Sequence, residues 1–463
     1  MLTKAEIQDI LIKSLSNGVD FVELFFEDNT KNFSRIINNE VVFIQSENIY
    51  GVGIRLLNKT DEIYLYTNKV NYEHILNLIL EQKKIWNSDE KNNCIPLKEA
   101  QYHKINVTKP FKSISLSDKM QKLLHLSQII KEYDTRIIKS IVSLEEKEQK
   151  VLIANSLGVY QTDFRPYIRC MLIGVAKEGD NIQEFSDNVG YSIGLEIFEM
   201  IDFEAKARMV AQKAIVLLSA QELKPQKMSV VINKGVGGVI FHEACGHSLE
   251  ATSVAKGLSP FVNKLNQKIA SELVTAYDDG TIEGAWGQLN YDDEGRSTQK
   301  NLLIEKGILK NYLIDYRNSL KMKMLPTGSG RRQSYKYSPT SRMNSTYIAA
   351  GTDTPAQIIQ DTKYGFYAES LGGGTVVPAT GEFNFMVKLG YLIEDGHLTI
   401  PIKGMMLIGK GQEILLQIDR VANDLAFDQG YCGSLSGYVP VDLGQPTIRV
   451  KEMIIGGITK GAK

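Results

Sequence analysis

MSVVINKGVGGVIFHEACGHSLEA, residues Met228 to Ala251, is the stretch on which the reading of this chain turns. MSVVIN is strand-like. The glycine-rich KGVGG after it reads as a tight strand-to-helix turn, since it matches neither the Walker pattern nor a complete GxGxxG fingerprint. From Val239 onward the spacing is helical. That helix carries His242, Glu243 and His247, and so holds two of the six histidines in the chain.

In the HExxH zinc motif the two histidines lie at i and i+4 on one helix face, with the glutamate as general base. Here the pattern is HExxxH. At about 100° per residue the two imidazoles stand about 140° apart on an ideal α-helix, too far round to grip one ion. The helix must therefore bulge, kink or end between them, and Gly246 tolerates such a departure. A zinc site that keeps one position open needs a third protein ligand. Glu250 and the distant Cys432, in DQGYCGSLSGYVP, are both candidates, and residue type alone does not choose between them. A Cys245–His247 dyad is disfavoured, because side chains at i and i+2 diverge on a helix.

Upstream of this stretch the chain alternates helical and strand-like segments. Ala5–Ser16, Tyr72–Trp86, Ser117–Tyr133 and Phe203–Leu218 read as helices. FVELFFED, NFSRIINN, EVVFIQSE, IYGVGIRLLN and EIYLYTN read as strands of an antiparallel meander, with breaks at Asn38-Asn39 and Asn58-Lys59. Further strands lie between Ile137 and Ile193, with turns at Leu157-Gly158 and Gly179-Asp180. The polar, proline-containing QELKPQK (Gln221–Lys227) reads as a linker. Beyond it glycine is more frequent and strands are shorter, with hairpin signals at Lys306-Gly307 and Asp395-Gly396. The expected architecture is α+β. An N-terminal antiparallel sheet with helices occupies residues 1–222. A C-terminal β-rich domain carrying the metal-site helix occupies residues 223–463.

Composition narrows the function classes. The 463 residues are 43% hydrophobic and 23% charged, which excludes a wholly disordered or collagen-like chain. The formal net charge of −1 gives no electrostatic reason to expect nucleic acid or an anionic membrane as the main partner. No segment approaches a membrane span of ~18–20 apolar residues, and the first twenty residues lack the apolar core of a signal peptide. Four cysteines without a CxxC pair are too few for a disulfide scaffold and fit a reducing, cytoplasmic setting. His74, His103, His125 and His397 carry no motif and read as structural or surface residues.

HEACGHSLEA resembles the HExxxH segment of the TldD/PmbA family of metallopeptidases, on the metal-bearing TldD side. YDDEGRSTQ, LPTGSGRRQSY, SRMNSTYI, YGFYAESLGGG, GYLIEDG and VDLGQPTIRVKEMIIGG resemble family segments in the family order and span nearly all of the C-terminal half. The resemblance implies zinc bound by His242, His247 and Cys432, with Glu243 as general base, in an enzyme that cleaves unfolded peptides. It also implies a two-subunit assembly, with itself or with a PmbA-like (TldE) subunit that lacks HExxxH. Glu250 then becomes either an orienting partner of an imidazole or a simple helix-face carboxylate. Where the family often has Asp, two positions after Glu250, this chain has Thr252. Gly372, Gly373, Gly374 and Tyr335 are candidate oxyanion donors, and Arg331-Arg332 are candidates for holding a substrate carboxylate. Two alternatives stand beside the zinc peptidase. One is a non-catalytic binding subunit with a structural zinc; the other is a metallo-amidase acting on small molecules.

Overall fold

The computed structural model describes residues 2–86, 93–99, 105–377 and 379–457, so His103 lies outside the described residues. Among the described residues, every strand up to Tyr191 joins one seven-stranded sheet. Its order is Asp61–Thr67, Glu40–Asn58, Phe21–Ile37, Ile137–Asn155, Val159–Glu178 and Lys98–Glu99, with Asn181–Tyr191 also paired to Val159–Glu178. The meander is built from longer strands than the sequence predicts. FVELFFED and NFSRIINN belong to one 17-residue strand, and EVVFIQSE and IYGVGIRLLN to one of 19. The polar run between them does not break the ladder because both of its edges are paired: Thr30 stands opposite Asn48 on one side and Glu148 on the other. Pairing on both sides outweighs a weak local preference for strand. The turns fall at the expected residues. Asn38 and Asn39 take φ of 48° and 64°, as a two-residue hairpin with the sheet's twist requires.

Side chains alternate across this sheet. On one face Val22, Leu24, Phe26, Val52, Ile54 and Leu56 pack under the helices Lys4–Ser14 and Tyr72–Gln82. Farther along, Val142, Leu144, Ile168 and Leu172 pack with residues of Leu116–Glu132 and Phe203–Ser219. Side-chain caps start these helices, among them a reciprocal capping box between Thr3 and Glu6. The opposite face presents Glu23, Phe25 and Glu27, all buried, to residues 293–335.

The rest of the chain forms two main sheets. One has the order Ile308–Leu309, Lys300–Glu305, Ala276–Asp279, Ser345–Ile348, Gly437–Gln445, Ala426–Ser434. The other runs Tyr364–Val377, Gln226–Ile232, Ile448–Gly457, Met405–Lys410, Glu382–Glu394, His397–Ile402, with Ile418–Val421 paired to Ile448–Gly457. The architecture is α+β, as expected. The helical segment after Gln226–Ile232 packs between these sheets, its Ile240, Phe241, Ala244 and Cys245 in one core with Val439 and Val441 from the first and Phe383 and Leu407 from the second. Among the described residues no helix is long and apolar enough to cross a membrane.

Burial also sets a pH response. Asp442, in the strand Gly437–Gln445, is enclosed, and its carboxyl is pushed up to about 7 by loss of water, against the opposing hydrogen bonds from the Gly287 N–H and Ser345 hydroxyl. An aspartate in the unfolded chain titrates near 4. The native state therefore holds a proton that the unfolded state has released. The corresponding stability is complete below about pH 4 and is lost as pH rises through 7. Asp442→Asn is expected to flatten the decline in stability between about pH 5 and 8, read as denaturation midpoints across that range. An unchanged slope would contradict the assignment.

Candidate metal centre

The geometric problem posed by HExxxH is solved by a change of helix type. Gly238–Phe241 is α-helical, His242–Gly246 is a single π-turn, and His247–Leu249 returns to α. The His247 N–H donates to the His242 carbonyl, so the i→i+5 bond of the π-turn spans the two histidines themselves. Widening the turn by one residue brings both imidazoles to the same side. Their ring centroids are 5.1 Å apart and their planes nearly perpendicular, at 86°. Gly246 has ordinary helical angles, φ −53° and ψ −53°, so its role is not conformational freedom. A Cβ there would collide with the Met343 sulfur. Gly246→Ala is expected to destabilise the protein by about 1–3 kcal/mol through overpacking, measured as a shift in denaturant midpoint. An unshifted midpoint would show that Met343 yields freely.

The third donor arrives from the hairpin Ala426–Ser434/Gly437–Gln445. Cys432 Sγ lies 3.3 Å from His242 Nε2 and 3.2 Å from His247 Nε2. One ligand atom from each of His242, His247 and Cys432 lies within 4.8 Å of the others, and all three residues are buried. Burial pushes the Cys432 thiol up, but the two adjacent imidazoles outweigh it and hold the group well below the ordinary thiol value. Burial pushes His247 down, and Glu250 together with Cys432 outweighs that and raises it well above the usual imidazole value. Two imidazole nitrogens and one thiolate are a donor set that suits zinc. Cys245, one turn away in the core, has no such neighbours, and burial alone drives its thiol up. Its side chain lies in the apolar core and not with the donors.

Glu243 Oε2 is 3.5 Å from His247 Nε2, on the donor side of the helix, and its side chain is 29% exposed. It opens into a cleft of about 390 Å³, whose lining includes His247, Lys256, Leu258, Val376 and Leu435. Glu250 Oε2 lies 3.2 Å from His247 Nδ1, the ring nitrogen turned away from Cys432. Thr252 also lines the cleft, and its hydroxyl is buried without a hydrogen-bond partner among the described residues.

The other candidates fall elsewhere. Gly372, Gly373 and Gly374 sit on Tyr364–Val377, where the pairing with Glu382–Glu394 slips, and Gly373 faces open space. Val376, two residues beyond them, reaches the cleft. Arg331 and Arg332 are not displayed to a ligand: they are 2% and 3% exposed. Arg331 donates to the Met343 carbonyl, and Arg332 to Glu23 and to the Asp293 carbonyl. Tyr335 is buried with Phe25, Val151 and Ile153 beneath the N-terminal sheet. Its ring lies where a Cβ on Gly51 would be. For Arg331, Arg332 and Tyr335 the expectation of substrate contact is corrected by this enclosure. What the sequence did not reveal is the place of Leu258, Val376 and Leu435 among the polar residues of the cleft, and the buried Arg342, whose side chain reaches the Cys432 carbonyl. SRMNSTYI carries no pattern that separates Arg342 from a surface arginine.

A helix-borne histidine pair meets a cysteine at the mouth of a cleft, and comparison with known proteins places the chain in a family of metallopeptidases. Three PmbA/TldA metallopeptidase domain models match: domain 1 over residues 22–81, the central domain over 109–218 and the C-terminal domain over 225–457. The chain belongs to the PmbA/TldD family of metallopeptidases. It is 31% identical to the metalloprotease TldD homologue of Buchnera aphidicola from Schizaphis graminum, over 99% of this chain and 98% of that one. It is 33% identical to the homologue of Haemophilus influenzae, over 95% and 93%. Among solved structures, a Thermotoga maritima protein described as a candidate modulator of a DNA gyrase aligns with a TM-score of 0.82 at 18% identity, covering 98% of this chain and all of that one. TldE from Thermococcus kodakarensis aligns at 0.78 and 20%, covering 98% and 100%. At those identities the two structures attest the fold alone.

Proposed function

We propose that this chain is a zinc-dependent peptidase that cleaves unfolded peptides, with His242, His247 and Cys432 as the metal ligands and Glu243 as the general base. The observation that carries the reading is the convergence of the three donors within 4.8 Å, achieved by a π-turn and a strand 185 residues away. Zinc held there supplies Lewis acidity toward a peptide carbonyl and toward water. The chain's own contribution is proton handling. The Glu243 carboxylate, open to the cleft beside His247 Nε2, takes the proton of the attacking water and delivers it to the leaving amine. Burial of the donors keeps bulk water from the far side of the site.

A peptide would bind as an added strand. From residue 370 to 377, Tyr364–Val377 pairs only with Glu382–Glu394 among the described residues, because Gln226–Ile232 engages it only at residues 365–368 and Asn233 holds the Glu369 carbonyl. Main-chain pairing along that free edge, past Gly372–Gly374 to Val376 at the cleft, would accept many sequences. A free strand edge leading to the cleft favours peptides over the small-molecule amides of the alternative reading. The exposure of Glu243 to the cleft favours catalysis over a purely structural zinc. Residues 223–463 form the catalytic part in this reading, and residues 1–222 build the assembly and shape access. A second subunit, identical or PmbA/TldE-like, would cover the exposed Val41, Val42, Phe43 and Ile44 at the tip of the long hairpin. Four free cysteines, one of them a ligand, fit a reducing cytoplasm.

The test is Glu243→Gln, which preserves shape and removes the base. It is expected to retain about one zinc per chain and to lose about 10²–10⁴ of the peptide cleavage seen by mass spectrometry of digested peptide mixtures. Full activity in that variant would overturn the mechanism.

A further inference from the structure

Arg342 is 0% exposed, and its guanidinium is spread over the turn that delivers Cys432. Nη1 donates to Ser436 Oγ at 3.0 Å and to the Gly437 carbonyl at 2.8 Å. Nη2 donates to the carbonyl of Cys432 itself. The remaining nitrogen, Nε, faces Glu250 Oε1 at 3.8 Å. The other oxygen of Glu250, Oε2, lies 3.2 Å from His247 Nδ1. His247 Nε2 is 3.2 Å from Cys432 Sγ. The path from Cys432 through Arg342, Glu250 and His247 returns to Cys432 and forms a closed ring of contacts between two donor side chains from distant parts of the chain.

Each link has a physical reason. The carbonyls of a hairpin turn near a buried site need donors, and the fork of arginine satisfies several at fixed geometry, which lysine does not. A buried carboxylate without an opposite charge is costly, and Arg342 is the cation facing Glu250. Among the described residues neither Arg342 Nε nor Glu250 Oε1 has a hydrogen-bond partner, and the two face each other only as an ion pair at 3.8 Å. Arg342 is itself held from two directions. Its backbone N–H donates to the Ser329 carbonyl at 2.8 Å, and the next residue, Met343, packs against Gly246 of the π-turn. His242 has no equivalent support among the described residues: its Nδ1 is buried without a partner there.

We propose that Arg342 and Glu250 act together as positioning residues for the metal donors. Arg342 sets where the Cys432 turn stands relative to the helix, and it orients Glu250. Glu250 accepts the His247 Nδ1–H, which leaves Nε2 as the donor atom. This rests on the reading of His242, His247 and Cys432 as metal ligands.

The experiment uses the full-length chain loaded with zinc or with cobalt(II). Zinc affinity is read by competition with a chromophoric chelator, and donor geometry by the visible absorption of the cobalt form. Arg342→Gln and Glu250→Gln are each expected to weaken zinc binding by about 10–100-fold and to shift the cobalt bands. The double variant is expected to lose about as much as the weaker-binding single variant, because the two residues act in series. Unchanged affinity and an unchanged cobalt spectrum in folded variants would overturn the proposal, even if their stability fell. Where Arg342→Gln does not yield folded protein, Arg342→Lys keeps the charge and loses the fork, and the same two readouts decide. The wild type separates the two levels: absence of zinc binding in it would overturn the ligand reading itself, whereas zinc binding that the variants leave unaltered would overturn only the positioning role.

Discussion

Cys432→Ser is expected to lose zinc and peptide cleavage together. In the proposed ligand set the thiolate is the donor from outside the helix, and the two imidazoles beside it favour its charged form. A serine hydroxyl at the same place stays protonated near neutrality and is a much weaker ligand, so two neutral imidazoles are left to hold the ion. The loss of zinc affinity should exceed the ~100-fold that removal of a supporting contact costs, and cleavage should fall with it. Metal analysis after gel filtration and digestion of a peptide mixture check the two losses in parallel. Cys94→Ser is the control, since that residue lies away from the site against Gln8 and should leave both measurements unchanged. A Cys432→Ser protein that keeps stoichiometric zinc would remove Cys432 from the ligand set.

The largest effect on stability is expected from Arg332→Ala. Arg332 lies where the N-terminal sheet meets the rest of the chain. It pairs with Glu23, donates to the Asp293 carbonyl at 2.7 Å and to Tyr64 Oη at 3.2 Å, and stacks over Phe25 with 4.4 Å to the ring centroid. Both charged side chains of the pair are 0% exposed. Removing one partner leaves the enclosed Glu23 carboxyl without its closest cation, which costs about 3–5 kcal/mol for a broken buried pair. Arg55, 3.9 Å from Glu23 and 2.5 Å from Glu294, relieves part of that cost but is itself committed to Glu62 and Glu294. Chemical denaturation should show the midpoint fall accordingly. The double replacement Glu23→Leu with Arg332→Met should recover much of the loss, because it removes both charges and keeps the volume. A single variant as stable as wild type would show that the pair contributes only to specificity.

The positions of the hairpin turns and of four helices before Gln221 were legible because they depend on neighbours in sequence, whereas Tyr316–Met322, Pro355–Gln360 and Gly411–Gln417 were not read. Asn38-Asn39, Lys306-Gly307 and Asp395-Gly396 take positive φ, and the residues there tolerate it. Those four helices begin and end within a few residues of where apolar spacing and capping residues place them. The lengths of the strands were not legible. Nothing in the polar residues around Thr30 shows that a partner will lie on each side, and it is the two ladders that keep the strand continuous. The same limit applies to Arg331, Arg332 and Tyr335. Their types suggest contact with a ligand, but enclosure is a property of what packs over them, and here that is the N-terminal sheet and the core.

The candidate site divides along the same line. HExxxH by itself determined that an ideal α-helix would fail to bring its histidines together, because 100° per residue is a fixed property of the backbone. It therefore required a departure between His242 and His247. The family resemblance placed Cys432 with the two histidines. Only the tertiary structure decided how this is done. The departure is a π-turn and not a break, and Gly246 is there to admit Met343. The thiol's approach is set by a hairpin turn that Arg342 grips from a third part of the chain. Helix geometry is local and is written in a few consecutive residues. The convergence of donors 185 residues apart depends on the packing of whole sheets, and no short stretch of sequence contains it.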